Sequence, residues 1–259
     1  MKPGTELLLS EHLQQLKLTM VLRQYPALSR QARENGWSYE DYLLSLTEAE
    51  IQARADNRLK RRIRDAHFPL VKTMESFDYD AAPDLDRRMI RELMEGTYIK
   101  ERRNVIFVGK TGTGKTHLAT ALGLEACRQG VRTRFTTGAG LVNDLIEARS
   151  ERMITRVIQR HSHFGLLVLD ELGYVPFSKE GSQLLFQVLA DRYERGSVMI
   201  TTNLGFADWT QLFGDPTLTA ALLDRLTHKA HIILCNWESY RLKESLKRKS
   251  STANNKEKK

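Results

Sequence analysis

The chain has 259 residues, room for one large domain or a small and a medium one, and its 41% apolar content can build an ordinary core. A mean hydropathy of −0.43 and the lack of any apolar run near the roughly 20 residues of a span exclude a helical membrane protein. The net charge of +8 points away from acidic-surface functions and toward a polyanionic partner. It is also uneven. Residues 54–65 hold six basic against two acidic side chains, and residues from Arg241 onward hold eight against two, leaving the rest slightly acidic. Charges inside the opening MKPGTELLLSEHLQQ lead us to expect no secretory signal. Cys127 and Cys235 are far apart and lack metal-ligand spacing, which predicts buried thiols in a reducing cytosol.

Residues 1–66 read as a small helical domain. Leu9, Leu13, Leu16 and Met20 recur at helical spacing and predict one amphipathic helix. Ser38 with Asp41, and Thr47 with Glu50, resemble capping boxes that would restart helices. Ile51, Ala55, Leu59 and Ile63 then form an apolar stripe, with Arg54, Arg58 and Arg61 on a neighbouring face that would suit phosphate. Pro69, Pro83 and several Asp break the pattern, predicting a linker over 67–83.

From 84 to 245 strands and helices alternate. Strands are predicted at 105–108, 131–137, 164–170, 197–202 and 231–235, and helices at 115–128, 139–160, 179–193 and 206–229. Apolar strands alternating with helices mean an α/β fold with a parallel sheet flanked by helices. Residues 246–259 read as a basic, low-complexity tail.

GKTGTGKT, from Gly109 through Lys110, Thr111, Gly112, Thr113, Gly114, Lys115 and Thr116, fits the phosphate-loop pattern directly between a strand and a helix. The glycines let backbone N–H groups face a phosphate at a helix N-terminus, and His117 follows in the first turn. Lys115 would reach the β- and γ-phosphates, and the Thr116 hydroxyl would ligate Mg²⁺. In LLVLDE (166–171), Asp170 emerges at a strand's carboxyl end, suited to Mg²⁺, and Glu171 beside it suits a general base. Such a pair predicts an NTPase rather than a small-molecule kinase. Asn203 ends ITTN (200–203) and would orient the attacking water; Arg225 in LLDRL is a helical arginine of the kind that can act across a subunit boundary. His161 and His163 lack further ligands and predict a helix-end cluster facing solvent or phosphate rather than a metal pair.

Together GKTGTGKTHLATAL, LLVLDELGYVPF, ITTNLGFADW, FGDPTLTAALLDRLTHKAHII and ESYRLK resemble the AAA+ ATPases of the IstB/DnaC group, and within it the IstB-like transposition helpers of insertion sequences. LKLTMVLRQYPALSRQA, SYEDYLLSLTEAEIQAR and AHFPLVKTMESFDY carry the likeness into the N-terminal region. The resemblance implies an AAA+ P-loop ATPase using ATP and Mg²⁺, without a C-terminal lid domain, since only 24 residues follow the last strand. It implies Asn203 as sensor, Arg225 as a trans-acting arginine finger in a homo-oligomer, and assembly on double-stranded target DNA. It also implies recruitment or stimulation of a partner transposase, with residues 1–66 the candidate contact, in the bacterial cytoplasm at the nucleoid. Related initiator-type ATPases turn the segment carrying Arg149, Arg152 and Arg156 toward DNA. The alternatives are a DnaC-like replicative helicase loader, or a nucleotide-switched oligomeric interaction module. NWESYRLK departs from the family pattern, with Asn236-Trp237 where helpers often have a glycine nearby.

Overall fold

A computed structural model describes residues 3–240, so the basic tail and the family pattern beyond Tyr240 lie outside the described residues. It divides into two compact units, residues 1–61 and 62–259.

The smaller unit contains α1 (Pro3–Gln15), α2 (Thr19–Glu34) and most of α3 (Tyr39–Ala66). The single helix expected to carry Leu9, Leu13, Leu16 and Met20 is in fact two. Lys17 takes φ +55°, and the Leu18 N–H donates to the Leu13 carbonyl at 2.9 Å, a left-handed helix stop closed by a six-to-one bond. Leu16 is therefore left 66% exposed, while Leu18 packs with Leu13, Val21, Tyr25 and Leu46. Ser38 does start a helix: its hydroxyl accepts from the Asp41 N–H at 3.0 Å and donates to the Asp41 carboxylate at 2.6 Å.

The restart expected at Thr47 does not occur, because α3 runs straight through. Thr47 bonds back to the carbonyls of Leu43 and Leu44, as mid-helix threonines do. Glu50 instead caps a different helix, accepting from Met20 N–H at 2.8 Å and Val21 N–H at 3.3 Å at the start of α2. Burial pushes the Glu50 carboxyl up, but Arg54 and those two N–H groups outweigh it and hold it below the usual carboxylate range.

Residues 67–83, expected as a linker, lie within the larger unit, where Met74 and Ala82 are buried and Phe68, Phe77 and Tyr79 pack on the core. The prolines and aspartates break the helix here, but the apolar residues among them are still worth burying. A 3₁₀ turn (Met74–Ser76), α4 (Arg87–Met94) and α5 (Thr97–Lys100) lead into β1 (Val105–Gly109). Next come α6 (Lys115–Arg128), β2 (Thr133–Thr137), α7 (Gly138–Ser150), α8 (Ile154–Ser162), β3 (Leu166–Leu172), α9 (Lys179–Arg192) and β4 (Ser197–Thr202). A 3₁₀ turn (Phe206–Asp208), α10 (Trp209–Phe213), α11 (Pro216–Thr227) and β5 (His231–Cys235) complete the described chain.

The five strands form one parallel sheet in the order β2-β3-β4-β1-β5. Both faces are covered, which is why the strands read as continuous apolar runs. Val105, Phe107, Val168 and Met199 face a core shared with Leu118 and Leu122 of α6. Ile106, Leu167, Leu169 and Ile200 face another core shared with Leu141 of α7, Leu185 of α9 and Leu222 of α11. Each such side chain contributes roughly 1.5–3 kcal/mol on burial, enough to hold the strand ends, where the polar residues gather, in fixed register. Among the described residues no helix is long and apolar enough to cross a membrane.

Candidate active site

β1 delivers the chain to Gly109, and α6 begins at Lys115 after Gly114 in the left-handed conformation, φ +86°. The loop between them is tightly enclosed. A Cβ on Gly109 would collide with the Cys235 carbonyl of neighbouring β5, and one on Gly114 would meet the Phe77 ring at 2.9 Å. Glycine is thus required here by close approach as well as by φ. The Lys115 ammonium donates to the carbonyls of Gly109 at 2.7 Å and Lys110 at 2.8 Å, and Thr113 Oγ1 donates to Lys110 at 2.9 Å. His117 Nε2 lies 2.8 Å from the Thr73 carbonyl, and its ring meets Phe77 edge-on, so the segment once expected as a linker braces the first turn of α6.

Across the loop stands the end of β3. Asp170 is 4% exposed and accepts from the hydroxyls of Thr116, at 3.0 Å, and Thr201. The β3–β4 register shifts between Leu169 and Leu172. Within that bulge Glu171 adopts φ +55°, a conformation that costs a non-glycine residue on the order of 1 kcal/mol. The Thr201 hydroxyl anchors it by accepting the Glu171 N–H at 2.9 Å. A bulge re-aims a side chain: Asp170 stays inside while Glu171 is exposed and lines a cavity of about 410 Å³. The same cavity is lined by Thr111, Lys115, Thr116 and Asn203, with Phe77, Trp237 and Tyr240 as aromatic walls. Thr111 and Tyr174 hydroxyls meet across it at 3.2 Å.

Arg225 does not line this cavity. It sits on α11 with its Cζ 5.0 Å from the Phe186 ring centroid and one buried nitrogen, Nη1, without a hydrogen-bond partner. It borders a separate cavity of about 250 Å³ with Arg102, Arg192 and His228.

The family described as IstB-like ATP binding protein matches residues 11–248. The chain belongs to this family. A Pseudomonas aeruginosa member, the insertion sequence IS21 putative ATP-binding protein, is 38% identical over 235 residues, covering 91% of this chain and 89% of that protein. The insertion sequence IS5376 putative ATP-binding protein of Geobacillus stearothermophilus is 36% identical over 234 residues, covering 90% and 93%. Among solved structures, AMPPCP-bound DnaA from Aquifex aeolicus aligns at TM-score 0.55 and 20% identity over 70% of this chain and 56% of that one. DnaI aligns at 0.54 and 17% identity, over 68% and 93%. These two likenesses show the fold, an AAA+ P-loop architecture.

Of the residues the sequence singles out, the fold brings Thr111 to His117, Glu171 and Asn203 to one cavity, with Asp170 buried behind its wall and bonded to Thr116. The candidate phosphate-facing arginines are more dispersed in their engagement. Arg54 pairs with Glu50 at 2.7 Å and donates to the Lys17 carbonyl at 2.9 Å, so its head group is tied into the small unit, whereas Arg58 and Arg61 are exposed. Arg149 lies 3.4 Å from Glu180; Arg152 and Arg156 are exposed and make no ion pair among the described residues.

His161 corrects its expectation. It is 2% exposed rather than solvent-facing, and both ring nitrogens lack partners. Burial, then Arg160, Arg134 and Arg192, push it down to about 4, so it is neutral at pH 7. Its own carbonyl accepts from buried Arg192 at 2.6 Å, which fastens the end of α8 inward. Cys127 and Cys235 are free and buried as expected, and burial pushes the Cys235 thiol up to about 12.

Sequence reasoning missed Thr201, Trp237 and Tyr174. The only signal for Thr201 is a second threonine before Asn203, which reads equally well as β-propensity.

Proposed function

We propose that this chain is an ATP-hydrolysing transposition helper of an insertion sequence. In this reading it assembles as a homo-oligomer on double-stranded target DNA and recruits or stimulates a partner transposase. Family membership and the names of its relatives support ATP binding and the insertion-sequence context. The residues fit the nucleotide. The loop has left-handed glycines, offers backbone N–H groups at a helix N-terminus and keeps an ammonium beside it. They also fit Mg²⁺: the paired Thr116 hydroxyl and Asp170 carboxylate form an all-oxygen donor set, and few protein ligands are needed when phosphates supply the rest. When bound there, the ion would neutralise charge building on the phosphate oxygens.

The chain's own residues would then divide the work. Lys115 exchanges its contacts with Gly109 and Lys110 for phosphate oxygens. Glu171 takes a proton from the attacking water, Asn203 orients that water, and Arg225 of a neighbouring subunit meets the γ-phosphate. Arg58, Arg61, Arg149, Arg152 and Arg156 are the candidate contacts to DNA phosphates, and Arg54 shapes that face without being free itself. The helicase-loader alternative rests on shared fold alone, while the relatives are named for insertion sequences.

The observation that carries the hydrolytic part is the bulge that keeps Asp170 buried against Thr116 and turns exposed Glu171 into the cavity. Glu171→Gln should lower ATP turnover by about 10²–10⁴-fold while leaving ATP affinity within about twofold of wild type. Turnover that survives in this variant removes Glu171 as the base. Full transposition without turnover would make the chain a nucleotide-operated switch.

A further inference from the structure

Directly after β5 the backbone turns back over the phosphate loop. The Trp237 indole N–H donates to the Thr113 carbonyl at 2.9 Å, and the Tyr240 backbone N–H donates to the Gly112 carbonyl at 3.0 Å. Trp237 is 6% exposed and belongs to the core under the sheet, so the donor is anchored rather than swinging in solvent. The Gly112 α-carbon also lies against Ser239, with no room for a Cβ between them.

These bonds fix more than the position of the loop. In a trans peptide the C=O and the following N–H point to opposite sides. Holding the Gly112 and Thr113 carbonyls toward residues 237–240 therefore turns the Thr113 and Gly114 N–H groups the other way. With Gly112 and Gly114 at φ +85° and +86°, such N–H groups converge on one concavity, the geometry that receives an anion. A flip of either peptide would instead put a carbonyl oxygen into the cradle and repel phosphate. Lys115 restrains the Gly109 and Lys110 carbonyls in the same manner, but it must leave them to reach a phosphate. The bonds from Trp237 and Tyr240 have no such second duty.

We infer that residues 236–240 form a strap that positions the phosphate loop, with Trp237 its principal positioning residue: it holds the Gly112–Gly114 peptides in their anion-binding orientation. The inference rests on the nucleotide reading above and adds a determinant of phosphate affinity.

Calorimetric binding of three probes to the full chain tests it: Mg·ADP, inorganic pyrophosphate and adenosine. Trp237→Phe keeps an aromatic ring and loses only the indole donor and some volume. A loop spending only about a tenth to a fifth of its time correctly oriented loses apparent affinity by the inverse of that fraction. ADP and pyrophosphate should therefore weaken about 5–10-fold, and adenosine, which offers no phosphate, less than twofold. Tyr240→Pro removes the other donor together with a ring that lines the cavity; measured against Tyr240→Ala, which loses the ring alone, it should reproduce this selectivity if Trp237→Phe proves unstable. Wild-type binding with unchanged ADP affinity in both variants overturns the strap. So does an equal loss for adenosine, which would make Trp237 a wall of the base pocket. If wild type takes up neither ADP nor pyrophosphate, the nucleotide reading fails and the strap with it.

Discussion

Two cavities of the larger unit, the one at the phosphate loop and the one bordered by Arg225, are built to opposite plans. Around the phosphate loop the polar groups are bonded to one another: Asp170 to Thr116 and Thr201, Glu171 N–H to Thr201, and Lys115 to two loop carbonyls. Around Arg225 the bonding is incomplete, with Arg225 Nη1 and Arg192 Nε both buried and lacking partners. An unpaired buried donor costs about 1–3 kcal/mol, more when charged, and the Phe186 ring returns only part of that. The polar groups named at the phosphate loop find partners within the chain, whereas Arg225 Nη1 finds none among the described residues. On the function proposed above, such a chain binds nucleotide alone and gains turnover by assembly.

That contrast breaks most visibly at Arg225. Arg225→Ala should lower turnover in the assembled protein by about 10³-fold or more, with ATP affinity of dilute protein unchanged. Mixing it with Glu171→Gln, each inactive alone, should restore activity, because some interfaces then pair an intact Arg225 with an intact Glu171. No recovery in any mixture would place both residues in service of the same chain's site.

A smaller effect should separate Asp170 and Glu171 from their support. Thr201→Val keeps the shape of the strand but removes the hydroxyl that serves both residues. Turnover should fall about 10–10²-fold, with KM changed much less, since the lost group orients the hydrolytic residues rather than holding phosphate. A rise in KM alone would show that Thr201 acts on binding.

Charge reversal of Arg149, Arg152 and Arg156 addresses the polyanion surface. Duplex affinity should drop and the slope of log K against log salt should flatten by about 2–3. An unchanged slope moves the DNA contact elsewhere, with Arg58 and Arg61 next in line.

The smallest effect belongs to the small unit. Its Glu50 has a lowered folded pKa, so the stabilisation is full above the unfolded value near 4.3 and is lost as pH falls through the lower folded value. Protection factors at Met20 and Val21, corrected for the intrinsic exchange rate at each pH, should fall on acidification below about pH 4.3 and in Glu50→Gln, by an amount equivalent to about 1 kcal/mol. Protection indifferent to both would mean that the cap contributes nothing.

How much of this was legible in the sequence depended on whether the signal was local. The phosphate loop, the strand ends at Asp170 and Asn203 and the parallel sheet follow from spacing and apolar runs, since strand, turn and helix are contiguous there. The break at Lys17 was hidden, because lysine carries no left-handed preference and the Leu9–Met20 spacing fits a helix. The bulge at Glu171 was hidden for a different reason: it exists only in the register of β3 against β4. Residues 67–83 look like a linker until α6 gives Phe77 and His117 each other to pack against. His161 looks like a solvent-facing helix end until Arg192 takes its carbonyl from beneath. The last three are long-range contacts overriding a local preference, whereas the break at Lys17 is a local stop closed between Leu18 and Leu13.

Steady-state ATP turnover per subunit, measured across protein concentration with and without duplex DNA, tests the shared-site claim most directly. Completion of the site by a second chain predicts turnover per subunit that rises with concentration and rises further, at lower concentration, when duplex DNA is present. Turnover that is the same at every concentration and indifferent to DNA would contradict it.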